Sequence, residues 1–307
     1  MPAPAVSSTG GRGAFWLRPL SALASHTYDA FLDLRPERRA LFTSPAGEAA
    51  FTPATSVSWK IFSNPVALFC GGASAVLLEL AEPRVRDGVW QHTDFKTDPK
   101  GRLQRTGFAA MVSVYAAQSV ATSMIEGINR RHEAIRGRTD EGQPYAASDP
   151  DLLKWVHTTA SYGFARAYAA FVTPLTDEEK DAAVAEAAPI GKAYGVLDPP
   201  TDWAAMERYL TSNQELLRPS PILTQFLEIL AAAPILPIWA RAFQRPLVRS
   251  ATALLPPGMA QHIDLAPAWQ ATSTDMLIAK RLAQTVAAIP VDHHPAIWAA
   301  ERVEASG

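Results

Sequence analysis

Two histidines stand out because the residues around each turn its ring away from water. Over 119–138, Met124, Ile125, Ile128 and Ile135 form an apolar stripe at helical spacing. His132 falls on that stripe, while Asn129, Arg130, Arg131 and Glu133 flank it. Arg136 follows one turn on, near the same face. In a second segment Leu153, His157, Ala160 and Phe164 share a stripe that Asp151 and Lys154 leave, and Ser161 sits one turn beyond the histidine. Neutral imidazole is the commonest nitrogen ligand for iron, copper and zinc, so inward histidines on two helices are candidate metal ligands. The other reading is a pair of core histidines, each bonded to a backbone carbonyl.

A third group opens another helix. Arg102 and Thr106 are i, i+4 neighbours, with Arg105 beside them. Cations in a first turn oppose the helix macrodipole, so propensity does not place them there. Two guanidinium groups and a hydroxyl on one face suit an anion such as a carboxylate or a propionate; a solvated basic helix start is the alternative. Other signals are weaker. His92-Thr93-Asp94 is half of an iron facial triad whose usual β-barrel is missing. No Glu-x-x-His, His-Glu-x-x-His, Walker A loop, Gly-x-Ser-x-Gly or Gly-x-Gly-x-x-Gly occurs. Cys70 beside Gly71 and Gly72 reads as a small core residue, and His293-His294, between prolines, as surface.

Helices must position these groups. Asn64-Pro65, Asp98-Pro99 and Asp149-Pro150 each place a capping side chain before a proline at the first helical position. Thr176 to Glu179 is a capping box, and Thr201 or Asp202 can start a further helix. Alanine-rich stretches at 109–121, 165–170, 182–188 and 299–305 favour helix, and alternating strand patterns with Asn-Gly or Asp-Gly turns are missing. The expectation is an all-α fold, a single helical domain of roughly ten helices over 21–307 behind a flexible tail at 1–20.

Composition narrows the function classes. Twenty-eight Lys and Arg against thirty Asp and Glu leave a net charge of -2, with no global field to hold nucleic acid. The single cysteine excludes an internal disulfide and a thiolate zinc cluster, and fits a reducing, cytoplasmic setting. Residues 1–20 hold no apolar run long enough for a signal peptide. The most apolar stretch, 219–240, contains Glu228 and four prolines, so it reads as two buried helical pieces around a broken turn rather than a spanning helix. Contact with a membrane surface through it is a minor alternative.

Taken in order, these segments resemble the MpaB/rubber-oxygenase family, the group that includes the latex-clearing protein, in one of its bacterial members. The resemblance spans residues 60–250. It rests on Gly71-Gly72 with Leu77 to Pro83, on Gly88 to His92 leading to Phe95, and on Asp98-Pro99 through Thr106. His132 to Gly137, Tyr145 and Asp149 to Thr159 complete it.

The resemblance implies an all-α fold enclosing a haem b pocket. In the rubber oxygenases the proximal iron ligand is the histidine of a His-x-x-x-Arg motif, which matches His132 to Arg136. An Arg-x-x-Lys-Thr element near the haem matches Arg102, Arg105 and Thr106. Arg105 replaces the lysine, and a guanidinium cannot cap the iron as a deprotonated amine can. Bacterial members share Trp155-Val156-His157. Glu82 stands where many members carry histidine.

The implied activity is a haem-dependent oxygenase or oxidase using O2 on an apolar small molecule. His132 ligates iron, Arg105 and Arg136 hold the cofactor, and Arg102, Thr106 and His157 serve the chemistry. Two rival readings remain: a non-catalytic bis-histidine haem or electron-transfer protein, and a metal-free helical protein that binds a small ligand.

Overall fold

A computed structural model describes residues 34–289 and 293–305. The tail expected at 1–20 lies outside the described residues. The fold is all-α, with fourteen α-helices among the described residues and one two-stranded hairpin.

The core is built on α3 (Pro65–Ala81) and α7 (Pro150–Phe171). Asn64 caps α3, its Oδ1 accepting from the amides of Val66 and Ala67, and Asp149 caps α7 through the Asp151 amide. The two helices cross at glycine. A Cβ on Gly71 would lie 2.8 Å from the Gly163 carbonyl oxygen, and one on Gly163 would lie 2.6 Å from the Gly71 oxygen. Backbone therefore meets backbone, and no side chain fits between.

Leu77 and Leu78 of α3 share one core cluster with Leu152, Tyr162, Phe226, Leu247 and Ala279, all buried. Cys70 is fully buried among them, and burial pushes its thiol pKa up. A second cluster joins Phe42, Trp59, Phe108, Tyr115 and Trp298. It ties α1 (Pro36–Thr43) and α2 (Val57–Ile61) to α5 (Pro99–Tyr115) and α14 (Pro295–Glu304). Buried Arg302 fastens this cluster by donating to the carbonyls of Phe42, Glu48 and Tyr115.

Between α3 and α4 (Pro83–His92) the chain turns through 109°. Glu82 makes the turn: one carboxylate oxygen caps α4 at the Val85 amide, 2.8 Å away, and the other pairs with Arg84 at 2.7 Å. A capping carboxylate is thus the structural role of Glu82. Helix α6 (Gln118–Ala134) leads into the hairpin β1 (Arg136–Arg138) and β2 (Pro144–Ala146), paired antiparallel with Gly137 opposite Tyr145. The hairpin was not expected, because three-residue strands carry no readable alternation.

Helix α8 (Asp177–Ala193) starts at the Thr176–Glu179 capping box, and α9 (Trp203–Ser212) starts at Asp202. Then follow α10 (Pro221–Ala232), α11 (Gln244–Thr252), α12 (Met259–His262) and α13 (Ser273–Ala288). In 219–240 the first expected helical piece is α10. The second is not a buried helix: prolines 234 and 237 leave a 3-10 turn, Ile238–Phe243, with its first residues exposed. Nor is His294 surface. It is buried and caps α14, its Nδ1 accepting from the Ala296 amide. Among the described residues no single helix is long and apolar enough to cross a membrane.

Candidate active site

Five helices close on one region beside the α3–α7 crossing. On α3 the half-buried positions Gly72, Val76 and Glu79 recur at helical spacing, and on α7 so do His157, Ala160, Ser161 and Phe164. Helix α6 contributes Ile128, Asn129 and His132, and α5 contributes Arg102 and Leu103. The end of α8 ties the group together. Its Ala193 carbonyl accepts from Asn129 Nδ2 at 2.9 Å, Tyr194 just beyond it reaches Ser113 of α5, and Gly191 packs against the His157 ring.

His132 is the informative side chain. Its Nδ1 is buried and has no hydrogen-bond partner. A core histidine whose Nδ1 is bonded to a carbonyl would not leave that atom alone, so this form of the core reading does not describe the residue. Burial, and secondarily the charge of Arg102, hold its pKa below the ordinary value, which keeps the ring neutral near pH 7. One turn earlier on the same helix, Asn129 Oδ1 is also buried and unpartnered. Two orphaned polar atoms at i and i+3 of α6 mark an interior side that lacks partners from the protein.

His157 is neutral for a simpler reason: burial pushes its pKa down to about 4. Arg102 is largely desolvated, which lowers its pKa, while Glu79 supports its charge. Glu79 was not singled out from the sequence as chemistry. Burial pushes its carboxyl up to about 7 against the opposing pull of Arg102 and a 3.4 Å hydrogen bond from Thr159 Oγ1. It is therefore a group that gains and loses a proton near neutrality. A lone acid in the apolar run Leu77 to Ala81 was the signal for it.

Three expected site residues leave the group. Arg105 is exposed and committed to Asp94, at 2.6 Å, and Asp98; it lines a solvent cleft of about 670 Å³ with Arg35, Arg38 and Lys100. Thr106 is exposed, and its hydroxyl donates to the Arg102 carbonyl one turn back. Arg136 lies beyond the end of α6, exposed on β1, with its Nε donating to the Glu133 carbonyl. The helical face that would align it with His132 stops at Ala134. His92 is also exposed, 3.2 Å from the Tyr145 hydroxyl.

The residues that do converge could hold a haem by the kinds of side chain they offer. Among the described residues no three His, Cys, Asp or Glu side chains come together as a bare-metal site. A porphyrin brings four nitrogens of its own and asks the protein for one axial ligand, a cation for its carboxylates and an apolar wall. His132, Arg102 and the half-buried stripes are of those kinds. Comparison with curated proteins and with solved structures gives no match. The catalytic-domain model described as ER-bound oxygenase mpaB/B'/Rubber oxygenase matches residues 59–288, three quarters of the chain, and the protein belongs to that family.

Proposed function

We propose that the protein is a haem b-dependent oxygenase that acts on an apolar small molecule, with His132 as the iron ligand. One observation carries the reading: a neutral, buried imidazole whose Nδ1 has no partner, in a chain that belongs to an oxygenase family. Haem b, when bound, supplies the activation of dioxygen.

The chain's own residues supply position and protons. Arg102 offers a permanent cation in a poorly solvated place, suited to a propionate. Phe164, Val76 and Ala160 offer an apolar wall that orients an apolar substrate and keeps water out. With a pKa of about 4, His157 is a neutral hydrogen-bonding group at working pH and a poor proton carrier. Glu79, with a pKa of about 7, holds or releases a proton at its carboxylate beside Thr159, and we assign the acid–base role to it in place of His157.

An absorption spectrum with a pyridine haemochrome assay, on protein expressed with ample haem, tests the reading. Wild type and Arg136→Ala should show a Soret band, and His132→Ala should lose at least about nine-tenths of its haem. Colourless wild-type protein, or full haem in His132→Ala, overturns the assignment. Failure of the reduced protein to bind carbon monoxide would favour the bis-histidine electron-transfer alternative.

A further inference from the structure

The turn between α10 and α11 contributes no residue to the candidate site described above. There Ile238 is 79% exposed and Trp239 60%, two large apolar side chains side by side in water. Scattered exposed apolar residues need no explanation, but this pair sits on a fixed support. Buried Gln244 holds the loop beneath it. Its Nε2 donates to the carbonyls of Leu230, at 2.8 Å, and Ala233, at 2.6 Å, and its Oε1 accepts from the Leu236 amide at 3.1 Å. The pair is therefore held outward by a polar clamp rather than left over from a frayed end.

Along the chain on either side of the pair the charge has one sign. From residue 229 to residue 263 there is no Asp or Glu, and there are three arginines. Arg249 is taken up by Asp275, 3.3 Å away. Arg241 and Arg245 are exposed, and Arg245 lies over the Trp269 ring at 4.5 Å.

We infer that the Ile238–Trp239 turn, flanked by Arg241 and Arg245, docks the protein onto an anionic membrane surface. Tryptophan at the headgroup level, an apolar neighbour reaching the acyl boundary and arginine beside anionic lipid are the elements of a shallow interfacial anchor. A second copy of the chain is a poorer occupant. Self-pairing of this turn about a two-fold axis would set Arg241 and Arg245 near their own copies. Two side chains also cover only a small part of the ~800 Å² per partner that a stable protein interface buries.

Flotation of the full-length protein with vesicles tests the inference. One set is phosphatidylcholine alone and the other contains phosphatidylserine. Wild type should float with the anionic vesicles, and less as salt is raised. The pair Ile238→Ser and Trp239→Ser should weaken flotation about tenfold. The pair Arg241→Gln and Arg245→Gln should remove most of the preference for anionic over neutral lipid. The serine pair should leave thermal melting unchanged, and the glutamine pair, which gives up the contact of Arg245 with the Trp269 ring, should lower it only slightly. No flotation by wild type, or undiminished flotation by the serine variant, overturns the proposal. So does a dimer, seen by sedimentation, that the serine variant abolishes.

Discussion

The His157 imidazole packs against bare backbone: a Cβ on Gly191 would lie 2.7 Å from its Cε1 and 2.9 Å from each ring nitrogen. The ring is the far end of a side chain, so Gly191→Ala should swing it aside rather than force helix α8 away. The expected cost is about 1 kcal/mol of stability, at the low end for overpacking. The larger effect is on the ring, which moves toward water and recovers part of its ordinary pKa from the buried value of about 4. A proton NMR titration of His157 in both proteins checks this; an unchanged titration refutes the contact.

The α3–α7 crossing should respond differently, because there the obstacle is main chain. Gly71→Ala and Gly163→Ala each put a Cβ within 2.9 Å of the facing backbone, which cannot rotate out of the way. Each should cost roughly 3 kcal/mol or more in denaturant unfolding, well above the cost at Gly191. Equal costs at the three glycines would mean that the crossing can relax.

Helix starts were legible in the sequence. Asn64, Asp98, Asp149, Thr176 and Asp202 cap the helices that their spacing announced, since capping is decided within four residues. The inward turn of His132 was legible for the same local reason. What sequence periodicity missed depends on where a helix stops or what lies across from it. Ile135 was read as part of the His132 stripe, yet it caps α6 in an extended conformation, and Arg136 is carried off the face. Arg105 was read with Arg102, but Asp94, eleven residues away, claims it. Glu79 and Gly191 are features of packing between helices, which no single segment reveals.

Glu79 should leave a mark on the pH dependence of stability. Its folded pKa of about 7 lies above the ordinary 4.5, so the folded protein holds this proton more tightly than the unfolded chain. The resulting stabilisation is complete below about pH 4.5 and declines as pH rises to about 7, above which it is lost. Glu79→Gln keeps the neutral form throughout. Relative to wild type, its melting temperature should rise between pH 4.5 and 7 and stay a few degrees higher at pH 8. A difference that does not vary with pH would show that Glu79 titrates normally. Oxygenase activity should fall at least about tenfold in the same variant, since the amide cannot carry the proton.

His294 should act in the opposite direction. Burial pushes its pKa to about 4, below the ordinary 6.5, and its neutral Nδ1 is the acceptor that caps α14. Protonation puts a hydrogen on that nitrogen and ends the cap. The stabilisation is therefore complete above pH 6.5 and is lost as pH falls through about 4. Asparagine also caps a helix but does not titrate, whereas alanine does neither. At pH 7, His294→Ala should cost about 1 kcal/mol for the lost cap, with any cavity adding to it. Between pH 6.5 and 4, His294→Asn should lose less stability than wild type. Denaturant unfolding across that range decides the matter: parallel losses in wild type and His294→Asn would mean that the titrating group is elsewhere, and His157, also neutral by burial, is the next to replace.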